Sequence, residues 1–264
     1  MRRVATASVI IALLVVVLRL PWQAFALLMT LVLLLAWNEY ARMVRSLGVI
    51  TASAAGALMA LSCALSFASS SPAAPLAWFL LAMLVATAAS LYRGYSDPAE
   101  FVGAITATFC GIAWLGLLPG AHIGVRRLPD GDLWLLFVYA AVAVGDSAAL
   151  YGGTAFGRRK LAPFLSPNKT VEGTVSGLVG SAAAGYVVGM WLSGVSDLQA
   201  IGLGALLGAI GQIGDLMESA LKRAAGVKDS SALLPGHGGV LDRVDSHLPA
   251  GAALYLILTA GWIV

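Results

Sequence analysis

Nine stretches of the chain, residues 4–18, 22–37, 49–67, 76–91, 101–118, 133–150, 173–192, 198–213 and 248–264, are apolar and almost free of charge. No other feature constrains the fold as much. About 20 mostly apolar residues make a helix that crosses the hydrocarbon core, and in lipid a backbone must satisfy its own hydrogen bonds, as a helix does. The shorter runs borrow flanking residues. The pattern predicts an all-α fold, a polytopic transmembrane helical bundle of about nine spans, with Pro21 a thin divide between the first two runs. Arg2, Arg3, the apolar stretch after them and Ala24-Phe25-Ala26 have the layout of a secretory signal. The apolar character runs on past Ala26, which favours spans over a cleaved leader.

Charge narrows the class further. Only 11% of the 264 residues are charged, against about a quarter in soluble domains. That deficit excludes a disordered chain, a solvent-exposed coiled coil and a conventional soluble enzyme. A net charge of +3 is too small an excess to point to nucleic acid. Cys63 and Cys110 both lie in apolar runs, as packing thiols do, and form neither a disulfide framework nor a metal-binding pattern.

The basic residues set a direction. With the N-terminus in the cytoplasm, Arg2, Arg3, Arg42, Arg45, Arg93, Arg158, Arg159, Lys160, Lys169, Lys222, Arg223, Lys228 and Arg243 fall on the inner side, and Arg19, Arg126 and Arg127 on the outer. Positive charge collects on the cytoplasmic side, so the N-terminus is expected inside and the C-terminus outside. Residues 1–130 hold spans one to five with plain, short connections; residues 131–264 hold spans six to nine and two long inner loops, 152–172 and 215–247. The absence of an internal repeat weakens an inverted-repeat transporter reading. Gly173, Gly177, Gly185, Gly189, Gly204 and Gly208 have the small-xxx-small spacing of closely packed helices.

The chemistry collects at the inner side. Asp146 is the only ionisable residue well inside an apolar run, and a carboxylate there needs a wet cavity, a cation or a base. Asp215 ends the eighth run, and Asp242 and Asp245 precede the ninth. The expected topology brings all four to one membrane depth, as a site would require; each alone could cap a helix or pair with a nearby base. If the eighth helix continues past Asp215, then Asp215, Ser219 and Lys222 share one face. Gly236, Gly238 and Gly239 around His237 allow positive φ and bare N–H groups, a plausible anion nest, with His237 either a ligand contact or a turn residue. Lys169-Thr170 precede a helix start that favours phosphate, Glu172 suits the helix dipole, and Arg158-Arg159-Lys160 suit lipid headgroups.

The stretch Ser219-Ala-Leu-Lys222-Arg223, Lys228-Asp229, Pro235, His237-Gly238-Gly239 and Asp242-Arg243-Val244-Asp245 resembles the signature of the phosphatidate cytidylyltransferases, or CDP-diacylglycerol synthases. Ser166-Pro167-Asn168-Lys169-Thr170-Val171-Glu172-Gly173 is similar to a second motif of that family. The resemblance covers residues 145–246; Ser147-Ala148 stand where the family more often has Thr-Gly, and Asn168 where Lys is usual. It implies an integral-membrane enzyme of the bacterial inner membrane, with its active site facing the cytoplasm, that converts CTP and phosphatidate to CDP-diacylglycerol and pyrophosphate. It further implies Mg²⁺, with room for a second cation, and a homodimer. Asp215 and Asp242 are then the first metal ligands expected, with Asp245 and Asp146 as further ones; Lys222 and Lys228 join Asp215 and Asp242 in catalysis. Substrate contacts fall to Lys169, Thr170, Ser219, Lys222, Arg223, Lys228, His237, Gly238, Gly239 and Arg243. The competing readings are a cation-coupled transporter using Asp146 and Asp215, and a CTP-dependent lipid kinase.

Overall fold

The computed structural model describes residues 16–51, 53–95, 97–234, 236 and 238–263. The first apolar run and His237 therefore lie almost wholly and wholly, respectively, outside the described residues. In chain order the elements are α1 (Trp22–Ser46), α2 (Ser53–Ser66), α3 (Ala74–Leu91), α4 (Pro98–Ile112), a π turn (Ala113–Leu117), α5 (Leu118–Arg127) and α6 (Gly131–Phe156). They continue with β1 (Lys160–Ala162), β2 (Ser166–Thr170), α7 (Val171–Gly189), α8 (Asp197–Ala224), α9 (Leu241–Val244) and α10 (His247–Thr259).

Among the described residues the fold is helical save for one antiparallel hairpin, β1 with β2, and an isolated bridge between Leu234 and Gly238. The hairpin is a departure from the all-α expectation with a local cause. Pro163 and Pro167 deny this segment a helix, and pairing Lys160 with Thr170 and Ala162 with Ser166 satisfies its backbone instead. Five helical segments are long and apolar enough to cross a membrane: Trp22–Ser46, Ala74–Leu91, Pro98–Arg127, Gly131–Phe156 and Asp197–Ala224. Ala54–Ser66 and His247–Thr259 are shorter apolar helices.

The chain divides into two compact units, Met1–Arg127 with Ala224–Arg243, and Leu128–Arg223 with Val244–Val264. The segment Ala224–Arg243 clusters with the first unit. In the first unit, Asp97 starts the α4 helix by accepting the Ala99 N–H at 3.0 Å, with Pro98 preset for the first turn. The helix then runs through the π turn to Arg127. Gly116 lies in that turn, where a Cβ would stand 2.9 Å from the Ala60 carbonyl oxygen and 3.0 Å from its Cα. Only a missing side chain lets α2 come this close. Phe25, Leu33, Ile112, Leu115 and Ile123 are fully buried in the unit.

In the second unit α6, α7 and α8 pack by the same device. A Cβ on Gly177 of α7 would lie 3.0 Å from Ala149 Cβ on α6 and 2.7 Å from Gln212 Nε2 on α8. The glycine spacing read from the sequence is packing, and it supplies the dispersion that lipid-embedded helices gain by close approach.

Candidate active site

In the second unit, α8 does continue past Asp215, as far as Ala224. The polar segment stays helical because its side chains pair along the helix, one turn apart. Ser219 Oγ donates to Asp215 Oδ1 at 3.3 Å, and Lys222 Nζ meets Glu218 Oε2 at 2.5 Å. Glu218 is entirely buried, so Lys222 faces a carboxylate rather than lipid phosphates. The other oxygen of Asp215 binds Lys169 Nζ at 2.6 Å.

Local structure delivers Lys169 to that contact. It sits on β2 next to Thr170, whose partner across the hairpin is Lys160. Thr170 then caps α7, its hydroxyl oxygen accepting the Gly173 N–H at 3.1 Å. Glu172 ties the hairpin base to the helix, accepting from the Arg158 and Arg159 N–H groups at 2.9 and 3.2 Å. Arg223 donates through Nε to the Leu165 carbonyl at 3.3 Å. The expected phosphate contacts of Lys169 and Thr170 are, in this arrangement, an ion pair and a helix cap.

Asp245 completes the cluster. It is buried and accepts the Ser246 N–H at 2.7 Å. Burial, and then the negative charge of Asp215, push its carboxyl up to about 6, against the pull of Ser246, Glu218 and the Lys222 charge. A buried carboxyl whose ionisation is opposed by a second carboxylate beside it is a place where a cation is favoured. Among the described residues no three His, Cys, Asp or Glu side chains form a ready-made metal cage. Mg²⁺ needs only one or two carboxylates when substrate phosphates and water complete its shell, so the Asp215 and Asp245 pair fits it. Asp146 is exposed midway along α6.

Asp242 lies in the first unit. Its Oδ2 accepts the Ser230 N–H at 2.8 Å, the Ser230 hydroxyl at 2.8 Å and the Gly239 N–H at 2.7 Å. The glycine-rich stretch is a turn, with Gly236 at φ 76° and Gly238 at φ 77°, conformations that cost glycine no steric penalty. Leu234 N donates to the Gly238 carbonyl at 2.8 Å and closes it. Lys228 and Arg243 are exposed.

Two acidic residues that sequence reasoning passed over take central positions. Glu218 had a legible signal, four residues before Lys222 and three after Asp215. Glu39, 1% exposed on α1, accepts hydrogen bonds from residues 230–241 and had none, because its partners are 191 to 202 residues away.

A family model described as "Cytidylyltransferase family" matches residues 1–260. A "Phosphatidate cytidylyltransferase" of Synechocystis sp. is 33% identical over 283 residues, covering 96% of this chain and 94% of the relative. One from Brucella suis biovar 1 is 46% identical over 128 residues, 48% of this chain and 47% of the relative. The Escherichia coli K12 "Uncharacterized protein YnbB" is 40% identical over 182 residues, 65% of this chain and 57% of that protein. The matched part thus spans about half the length of the latter two relatives.

Proposed function

The chain belongs to the cytidylyltransferase family, and from that membership we propose that it is a membrane enzyme of phospholipid synthesis that joins CTP and phosphatidate into CDP-diacylglycerol and pyrophosphate. The observation that carries the reading is the cluster on α8, where Asp215, Glu218 and Asp245 meet Lys169 and Lys222. It combines what a reaction between two polyanions needs: carboxylates for a cation and ammonium groups for phosphates.

A phosphomonoester has a second pKa of about 6, so the attacking oxygen of phosphatidate is ionised at neutral pH without a strong base. The barrier is the meeting of about six negative charges, roughly four on CTP and two on phosphatidate. In-line attack forms a bond from that oxygen to the α-phosphorus, and the bond from the α-phosphorus to the bridging oxygen breaks as pyrophosphate leaves. Asp215 and Asp245 would hold Mg²⁺, which supplies charge neutralisation for the triphosphate. Asp242 and Asp146 are proposed as further ligands on the strength of the motif and the apolar-run argument. Lys169 and Lys222, each paired with a carboxylate, are proposed to exchange that partner for a phosphate. Arg223, Lys228, Arg243, His237 and the Gly238-Gly239 backbone are proposed to hold the remaining phosphate oxygens.

The proposal extends to placement: about nine spans with the N-terminus inside and the C-terminus outside, a bacterial inner membrane, a cytoplasmic active site and a homodimer. Purified protein given phosphatidate, Mg²⁺ and each nucleoside triphosphate in turn should form CDP-lipid and pyrophosphate with CTP. A phosphorylated lipid plus CDP would instead identify a kinase. Absence of any nucleotide-dependent lipid product would overturn the enzymatic reading.

A further inference from the structure

We infer that Glu39 is a positioning residue for the nucleotide-handling segment: its carboxylate clamps both ends of the glycine-rich loop and thereby sets Asp242. The inference rests on the proposed reaction for its functional meaning and on first-unit geometry for its substance. Each oxygen of Glu39 takes two donors. Oε1 accepts from the Ser231 hydroxyl at 2.6 Å and the Val240 N–H at 3.0 Å. Oε2 accepts from the Ser230 hydroxyl at 3.0 Å and the Leu241 N–H at 2.8 Å. A carboxylate offers about four acceptor sites; three face donors that serve Glu39 alone, and the fourth faces the Ser230 hydroxyl. The donors stand at residues 230–231 on one side of the turn and 240–241 on the other, and all meet one side chain.

The same geometry reaches Asp242 through Ser230, whose hydroxyl lies 2.8 Å from Asp242 Oδ2 and 3.0 Å from Glu39 Oε2. One hydroxyl has one proton to donate, so it serves one carboxylate at a time, and the two acidic groups are coupled through it. Gly239 is shaped to the clamp. A Cβ there would stand 2.6 Å from both Glu39 oxygens and collide with the Ser230 hydroxyl. A side-chain amide does not reproduce Glu39, since in either orientation its NH₂ faces a backbone N–H, that of Val240 or of Leu241. A carboxylate with three donors of its own and a fourth shared with Asp242, buried on a spanning helix, is a costly way to close a loop unless the loop's exact placement matters.

Glu39→Gln tests this, with two readouts. Hydrogen exchange at the Val240 and Leu241 amides should quicken about tenfold or more, the scale of a lost charge-assisted hydrogen bond. KM for CTP should rise, or kcat fall, by about tenfold while KM for phosphatidate stays unchanged. Folded Glu39→Gln with wild-type CTP kinetics would overturn the positioning role, however much stability it lost. Should Glu39→Gln not fold, Ser231→Ala removes a single donor, with about threefold effects expected on the same two measurements; unchanged values there would equally overturn it. If the wild type makes no CDP-lipid, the proposed reaction fails separately, and amide exchange still decides the clamp: faster exchange at Val240 and Leu241 upholds it, and unchanged exchange removes it.

Discussion

Asp215 divides its two oxygens between a lysine and a serine, and that division makes its replacement informative. Asp215→Asn keeps size and the Ser219 contact but strips the charge that holds Lys169 and would bind a cation. Turnover should fall about 10²- to 10³-fold, the scale of losing one preorganised electrostatic element, and the Mg²⁺ dependence should shift. Near-wild-type turnover on an unshifted Mg²⁺ curve would remove Asp215 from the ligand set. The α8 residues were legible because Asp215, Ser219 and Lys222 recur at helical spacing within one short segment. Glu39 was not. It sits two residues beyond an apolar run, and nothing nearby in sequence announces that serines and amides far down the chain will converge on it.

At the scale of elements, apolar runs located the helices but not their ends. The run 198–213 becomes Asp197–Ala224, because ladder pairs such as Glu218 with Lys222 sustain a helix that hydropathy alone would stop. The run 101–118 likewise extends to Arg127 through a π turn, which no pattern of apolar residues specifies. The hairpin before α7 was not legible, since residues 152–172 read only as a long inner loop; the Thr170 cap and Glu172 at its base tie it to the helix. Thr170→Ala should cost about 1 kcal/mol of stability, a typical value for a lost N-cap, and should lower activity by loosening the element that carries Lys169. Thr170→Ser should restore both. A thermal midpoint and turnover indifferent to the alanine would show that the cap positions nothing.

For the molecule as a whole, helical membrane character follows from the charge deficit, whereas the count and direction of spans rest on the basic-residue tally. The structure gives a local role to two of the three basic residues that the tally assigns to the outer side. Arg126 donates to the Leu18 and Leu20 carbonyls at 3.1 and 2.8 Å. Arg127 donates to Phe67 and Ser69 at 3.0 and 2.8 Å and lies over the Trp22 ring at 5.2 Å. Both are helix-end caps for backbone oxygens that would otherwise lack donors, so they weigh less in a topology argument than free loop charges do. Single cysteines at Ala232 and Ser70, both exposed, in a background lacking Cys63 and Cys110, should label from opposite faces of sealed, oriented vesicles. Labelling from one face would reject the nine-span arrangement.

The Glu39 clamp also bears on how the protein is made. Leu241, one of its donors, follows it by 202 residues, and chains emerge at roughly 5–20 residues per second. For some 10–40 seconds at that rate, a nascent α1 carries an acidic group whose designated donors have not yet been synthesised. During that interval the group must be held by water or by the insertion machinery. Slowed elongation between residues 46 and 230 should therefore lengthen the window in which the half-built protein is open to quality control, and Glu39→Gln should narrow that sensitivity even as it weakens the finished loop.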